Sequence, residues 1–136
     1  MILVDTSAWI EFDRATNSSV DHRLTTEVAN GGNSIACTDP VIMEVLAGAR
    51  SPRHLSDLRA MLTRFQWIPV DVAADFEGAA SIYRDCRKAG VTPRGFVDCM
   101  IANIAIRTGS ALLAVDTDFR QMATVVPLQL LAQQAG

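Results

Sequence analysis

Short apolar runs of strand length alternate along this chain with longer stretches of helical pattern. The runs are ILVD at 2–5, SIAC at 34–37, WIPV at 67–70 and ALLAV at 111–115, and TVVPL at 124–128 is a possible last one. Buried parallel strands are typically continuous apolar runs, and strands that alternate with helices form βαβ units. The sequence therefore predicts an α/β fold with a mostly parallel central sheet of four or five strands and helices on both faces.

The segments between these runs carry helix start and stop signals. Ser7 is a candidate N-cap for the first helix. Pro69 cannot donate to a strand ladder, so WIPV is expected at an edge of the sheet. The predicted helices cover residues 8–14, 18–30, 39–48, 51–65, 72–88 and 95–108, with a short helical turn at 118–123.

The composition favours a single domain over residues 1–136. A hydrophobic fraction of 49% and a mean hydropathy of +0.19 exclude a disordered chain and are typical of a protein whose apolar surface is covered by a partner. Acids interrupt every apolar stretch well before the roughly 20 residues of a membrane span. Because Asp5 breaks the N-terminal run and no basic flank precedes it, we expect no signal peptide and a cytoplasmic protein.

The three cysteines are Cys37, Cys86 and Cys99, and their spacing fits neither a zinc site nor a disulfide framework. Each lies among apolar neighbours in a predicted strand or helix. We therefore expect three buried free thiols, which are typical of a reducing compartment.

Four isolated acids lie at the edges of the most apolar segments. Asp5 and Asp116 directly follow predicted strands, so both are expected at the carboxyl edge of the sheet, where ligands bind in such folds. Glu44 and Asp98 each lie about one turn into a predicted helix whose N-terminus points to the same edge. The topology can therefore bring all four carboxylates into one small volume.

Each acid also has an ordinary structural explanation. Asp5 could be a turn residue, Asp98 could pair with Arg94 four residues before it, and Asp116 could cap the turn that follows. For four acids at one edge we favour a shared site. Two carboxylates about 5 Å apart repel by roughly 3 kcal/mol at an effective dielectric near 20, so four need a cation among them. Oxygen ligands without His or Cys favour Mg²⁺ or Mn²⁺, whose bound water can attack a phosphodiester.

Four motifs carry a resemblance to a known family. They are Leu3-Val-Asp-Thr-Ser-Ala-Trp-Ile10, Glu44-Val-Leu-Ala-Gly48, Arg94-x-x-x-Asp98-Cys-x-Ile-Ala102 and Asp116-x-Asp118-Phe119. In this order and spacing the chain resembles the PIN-domain ribonucleases, and within them the VapC toxins of VapBC toxin–antitoxin modules. The resemblance implies a PIN-like (Rossmann-like) three-layer α/β/α fold and a Mg²⁺-dependent endoribonuclease, with Mn²⁺ as a possible substitute.

The resemblance also implies roles for individual residues. Asp5, Glu44, Asp98 and Asp116 would form the catalytic acidic quartet, with Asp5, Asp98 and Asp116 as metal ligands. The accessory residues would be Thr6, Ser7, Arg94 and Asp118. A hydroxyl of Thr6 or Ser7 would position a water or the groups that hydrogen-bond to the metal ligands. Arg94 would hold Asp98 or contact the scissile phosphate. For Asp118 we favour a helix cap over an accessory acid. Val115 departs from relatives, which often carry a polar or basic residue there.

The implied activity is hydrolysis of single-stranded or looped RNA, such as tRNA or rRNA, by a metal-held water. The implied partners are the RNA substrate, a VapB-type antitoxin that blocks the metal site with a basic side chain, and a second copy of the chain in a homodimer.

Other functions remain open at this stage. A phosphate-accepting receiver domain also binds Mg²⁺ in an acidic pocket, but it needs a Lys close to the phosphorylated Asp, and Lys88 ends a long predicted helix. A haloacid-dehalogenase-type phosphatase needs a second Asp two residues after Asp5, where this chain has Ser7. A PIN fold that only binds RNA or protein is a further alternative, although the complete acidic set weighs against it.

Overall fold

The computed structural model describes residues 1–131, which contain four strands and seven helices. In chain order they are β1 (Ile2–Val4), α1 (Thr6–Asp13), α2 (Ser19–Ala29), β2 (Ile35–Thr38), α3 (Asp39–Ala47), α4 (Pro52–Leu62), β3 (Gln66–Ile68), α5 (Val72–Lys88), α6 (Phe96–Thr108), β4 (Ala111–Leu113) and α7 (Thr117–Ala123). None of the described helices is long and apolar enough to cross a membrane.

The strands form one parallel sheet in the order β3-β2-β1-β4. Ile2 pairs with Ile35 on one side and with Ala111 on the other. Every residue of the central strands β1 and β2 is buried, whereas two of the three residues of β3 are exposed. Burial of the central strands requires helices on both faces of the sheet. The predicted α/β fold and the edge position of β3 are thus confirmed.

The segment 124–128 is not a strand, so the prediction of a further strand there was wrong. The N–H groups of Val125 and Val126 both donate to the carbonyl of Met122, which extends the turn after α7 instead of a ladder. Only a single bridge, between Leu112 and Leu130, continues the sheet beyond β4 in the described chain. Pro127 has no N–H that could donate to a strand ladder. Its neighbours Val126 and Leu128 are buried in the core without strand pairing.

The first helix begins earlier than predicted. Its N-cap is Asp5, whose Oδ2 accepts a hydrogen bond from the backbone N–H of Ser7 at 3.0 Å. The assignment of the cap to Ser7 was therefore wrong, because the acid at the end of β1 already supplies the capping oxygen. The cap of α2 by Ser18 and the end of α6 at Gly109, with φ of 65°, agree with the sequence signals.

Helices α5 and α6 pack closely, and this contact fixes the helix that carries Asp98. A Cβ added at Gly78 on α5 would lie 2.4 Å from the side chain of Asn103 on α6. Glycine at this position therefore permits the close approach of the two helices. The cysteines on these helices and on β2 are all buried and free, as predicted.

Candidate functional site

The carboxyl edge of the sheet gathers the acids that the sequence singled out. Asp5 follows β1, and Asp116 lies in the connection between β4 and α7. Glu44 lies in the second turn of α3, and Asp98 in the first turn of α6. Three βα connections and the start of α6, which follows α5, therefore contribute acids to one site.

Asp5 is held in place by the residue two positions after it. The Oδ2 atom of Asp5 accepts hydrogen bonds from the Ser7 hydroxyl at 2.6 Å and from the Ser7 N–H at 3.0 Å. The Ser7 hydroxyl in turn accepts from the N–H of Val115 at 3.0 Å, which ties the end of β1 to the segment after β4. Burial raises the pKa of Asp5, the hydrogen bonds from Ser7 and Thr6 oppose this rise, and the charge of Glu44 adds to it.

Thr6 orients a second carboxylate. Its hydroxyl donates to Oε1 of Glu44 at 2.7 Å, across 38 residues of sequence. The two hydroxyls behind Asp5 thus hold two different acids of the site. The hydroxyls of Thr6 and Ser7 therefore orient carboxylates of the site.

Asp98 carries the clearest electrostatic sign that the acids are together. Its pKa is raised to about 7, first by burial and then by the charges of Asp5, Asp116 and Glu44, while the charge of Arg94 lowers it. Charges act on a carboxyl group in this way only at short range. The four predicted carboxylates therefore lie near enough to one another for their charges to interact.

Asp116 and not Asp118 caps the last described helix, and both acids belong to the site. Asp116 is the N-cap of α7 and accepts a hydrogen bond from the N–H of Asp118 at 3.0 Å. The prediction that Asp118 caps this helix was therefore wrong. Asp118 lies in the first turn, and its carboxylate joins those of Asp98 and Asp116 in a group whose ligand atoms all lie within 4.8 Å of one another.

Arg94 contacts two acids at the start of α7 and, within the described residues, forms no hydrogen bond or ion pair with Asp98, which was the alternative explanation considered for that acid. Its Nη1 lies 3.2 Å from Oδ2 of Asp116, and its Nε lies 3.2 Å from Oδ2 of Asp118. An i,i+4 pair on one helix is not formed because α6 begins after its N-cap at Gly95, so Arg94 lies outside the helix.

The donor set fits a hard divalent cation. Asp98, Asp116 and Asp118 offer only carboxylate oxygens, and all three are half-buried. Oxygen ligands from several carboxylates are typical of Mg²⁺ and Mn²⁺ sites. In the described part of the chain Arg94 is the one cation paired with these acids, so much of their negative charge remains uncompensated.

Sequence reasoning underestimated Asp118, and a signal for it was present. In an Asp-x-Asp pattern after a strand, the first acid caps the following helix and leaves the second in the first turn at the same edge. The spacing of Asp116 and Asp118 is of this kind.

We expect the chain in EDTA to lose stability as the pH rises from about 5 to about 7. The folded-state pKa of Asp98 is about 7 against an ordinary value of 3.8, so the folded chain binds more protons than the unfolded chain between these values. Where the folded state binds more protons, the free energy of unfolding falls with rising pH. Thermal unfolding followed by circular dichroism at several pH values measures this slope.

The matched control for this slope is Asp98→Asn, which removes the titrating group and should flatten the profile in the same pH range. An unfolding temperature that rises with pH over this range in the unsubstituted chain would contradict the expected repulsion.

Comparisons with known proteins agree with this geometry. The PIN domain family matches residues 2–125. The ribonuclease VapC11 of Mycobacterium tuberculosis is 40% identical over 129 residues, which cover 95% of this chain and 96% of that protein.

Solved structures with the same fold include VapBC2 from Rickettsia felis bound to a promoter DNA fragment. Its TM-score is 0.77 at 22% identity, with 98% of this chain and 100% of that chain covered. VapC20 of Mycobacterium tuberculosis, described as a sarcin-ricin loop cleaving toxin, has a TM-score of 0.66 at 18% identity and covers 95% of this chain and 99% of that chain. The chain therefore belongs to the PIN-domain family, and within it to the VapC ribonucleases.

Proposed function

We propose that this chain is a metal-dependent endoribonuclease and the toxin of a VapBC-type toxin–antitoxin module. The observation that carries the proposal is the cluster of Asp98 with Asp5, Glu44 and Asp116, in which burial and then the charges of these three acids raise the pKa of Asp98 to about 7. Membership of the VapC ribonucleases supports the same activity. This membership rules out the receiver-domain and phosphatase alternatives. The experiment below distinguishes the nuclease from a non-catalytic PIN fold.

The carboxylates of Asp5, Asp98 and Asp116 would hold the cation, and the geometry adds Asp118 to this set. A bound Mg²⁺ or Mn²⁺ supplies a water of lowered pKa and neutralises charge on the phosphoryl oxygens. Ser7 keeps Asp5 in a fixed orientation by two hydrogen bonds, so this carboxylate needs little rearrangement.

The remaining steps belong to the chain's own residues. Asp98 or Asp116 would accept the proton of the attacking water, because both carboxylates lie in the group that would hold the cation. Thr6 fixes Glu44 by a hydrogen bond of 2.7 Å, which keeps the fourth carboxylate directed into the site. Within residues 1–131 Arg94 is the cationic side chain that pairs with these acids, and it would contact the scissile phosphate.

Structured RNA such as tRNA or rRNA is the proposed substrate. Support comes from VapC20, a relative of the same fold that is described as cleaving the sarcin-ricin loop. Three free thiols fit a reducing cytoplasm as the place of action.

A VapB-type antitoxin and a second copy of the chain are the proposed partners. The fold neighbours include VapBC complexes from Rickettsia felis and Salmonella typhimurium. The surface supports coverage by a partner, because Met43, Phe76 and Phe96 are more than half exposed around an apolar cleft of about 680 Å³.

Removal of divalent ions tests the proposal. We expect the purified chain to cut a structured RNA in Mg²⁺, to lose at least about 100-fold of this rate in EDTA, and to regain it when Mg²⁺ or Mn²⁺ is added back. RNA cleavage is followed on denaturing gels with end-labelled substrate. A parallel preparation of Asp98→Asn controls for a contaminating nuclease. Cleavage that persists in EDTA, or RNA binding without any cleavage, would contradict the proposal.

A further inference from the structure

The guanidinium of Arg94 is engaged by acids from another part of the chain. Its Nη1 and Nη2 contact Oδ2 and Oδ1 of Asp116 at 3.2 and 3.3 Å, and its Nε contacts Oδ2 of Asp118 at 3.2 Å. All of its nitrogen atoms are thus directed at two carboxylates. The Arg94 side chain itself is 71% exposed, whereas those of Asp116 and Asp118 are 13% and 20% exposed.

The same two carboxylates belong to the group that could hold a cation. Ligand atoms of Asp98, Asp116 and Asp118 lie within 4.8 Å of one another. Both oxygens of Asp116 are already engaged: Oδ1 accepts hydrogen bonds from Arg94 and from the Asp118 N–H, and Oδ2 forms an ion pair with Nη1 of Arg94. A carboxylate oxygen that accepts from a guanidinium has fewer lone pairs for a metal ion. Arg94 and a divalent ion therefore need the same atoms.

We propose that Arg94 is a built-in counter-ion of the acidic site, which competes with the divalent cation for Asp116 and Asp118 and leaves them when the cation binds. This inference rests on the proposed metal-dependent function. In the ion-free chain Arg94 offsets repulsion among the acids. Once released, its planar fork of donors is free to bind a phosphate. Ion binding thereby turns a side chain that pairs with acids into one that recognises the RNA backbone, so the ion is bound before the RNA.

The exposure of Arg94 makes this exchange feasible. Ion pairs of exposed side chains contribute little free energy, so a divalent ion that several carboxylates bind together can replace such a pair. The side chain also needs no passage through the core, because it stands on the connection between α5 and α6. The exchange thus requires only a rotation of the Arg94 side chain at the surface.

Measurement of Mn²⁺ affinity by electron paramagnetic resonance tests the competition without RNA. We expect Arg94→Met to bind Mn²⁺ at least about fivefold more tightly than the unsubstituted chain, because the competing cation is gone. The matched control is Arg120→Met. Arg120 borders a cleft together with Asp116, but within the described residues it has no hydrogen bond or ion pair with the acids. This control removes one nearby positive charge and should change the affinity less than about twofold.

A second readout follows the side chain directly. The ¹⁵Nε signal of Arg94, assigned by its absence in Arg94→Met, should shift when Mg²⁺ is added to the unsubstituted chain, and it should not shift in Asp98→Asn. Equal Mn²⁺ affinities of the Arg94 and Arg120 variants, or an Arg94 signal that Mg²⁺ leaves unchanged, would overturn the inference alone. Absence of saturable Mn²⁺ binding in every variant would overturn the proposed function as well.

Discussion

Asp98→Asn is expected to abolish RNA cleavage, with a loss of about 10³-fold or more, and to leave the fold intact. Asp98 lies among Asp5, Glu44 and Asp116, and its carboxylate is both a proposed cation ligand and a candidate proton acceptor. An amide keeps the shape of the side chain but removes the charge and the proton-accepting oxygen. The rate of cleavage of an end-labelled RNA in Mg²⁺ measures the loss.

The stability of the same variant separates a catalytic role from a structural one. The charges of three other acids raise the pKa of Asp98 after burial, so its ionised form is repelled in the folded chain. Removal of this charge should leave the unfolding temperature in EDTA at pH 8 unchanged or raise it by a few degrees. A variant that is inactive because it has unfolded would instead show a lower transition.

The control for charge alone is Asp57→Asn. Asp57 lies exposed on α4, and within the described residues its side chain belongs to neither the acid group nor any hydrogen bond. We expect this variant to cleave RNA at the unsubstituted rate. Full activity of Asp98→Asn, or an equal loss in both variants, would show that the acidic quartet does not perform the reaction.

Local patterns determine most of the fold, which explains why it could be predicted. Strands β1 and β2 are buried on both faces, so they are continuous apolar runs. Such runs are recognisable in the sequence as buried parallel strands. Helix α6 ends at Gly109 because a left-handed residue is needed there. The segment 124–128 has the same apolar composition as a strand, but the turn bonds to Met122 that prevent pairing are tertiary and leave no trace in composition.

The acids of the site could be located from the sequence, but their partners could not. Topology alone places Asp5 and Asp116 at one edge of a parallel sheet. Arg94 lies in the connection before α6, and no sequence pattern specifies the path of this connection. Its contacts with Asp116 and Asp118, 22 and 24 residues away, could therefore not be predicted. The same is true of Thr6, whose bond to Glu44 spans 38 residues.

A buried ion pair between α5 and α6 also escaped the sequence analysis. Asp75 is fully buried, and Oδ1 and Oδ2 accept hydrogen bonds from Nε and Nη2 of Arg107 at 2.9 and 2.8 Å. Asn103 and the N–H of Asp71 donate to the same carboxylate. Burial alone would raise the pKa of Asp75, but these hydrogen bonds outweigh it and the pKa lies below its ordinary value. The carboxylate is therefore ionised and held by four donors at neutral pH.

Arg107→Met is expected to lower the free energy of unfolding by about 3–5 kcal/mol, because it leaves a buried carboxylate without its charged partner. The corresponding fall in unfolding temperature is about 10–20 °C for a chain of this size. Urea denaturation followed by circular dichroism measures the free energy directly. Arg84→Met is the control, since Arg84 is exposed on the same helix as Asp75 and its loss should cost less than about 0.5 kcal/mol.

The double variant Asp75→Asn/Arg107→Met shows whether the cost comes from the stranded charge. A neutral amide at position 75 carries no charge, and its one carbonyl oxygen can still accept from Asn103 or from the Asp71 N–H, so the double variant should be more stable than Arg107→Met alone. If the two substitutions simply add, the pair is not coupled. RNA cleavage well below the transition should survive in Arg107→Met, because Arg107 lies nine residues from Asp98, about 13 Å along α6. This result would show that the Asp75–Arg107 pair stabilises α6 but does not determine the geometry of its first turn, where Asp98 lies.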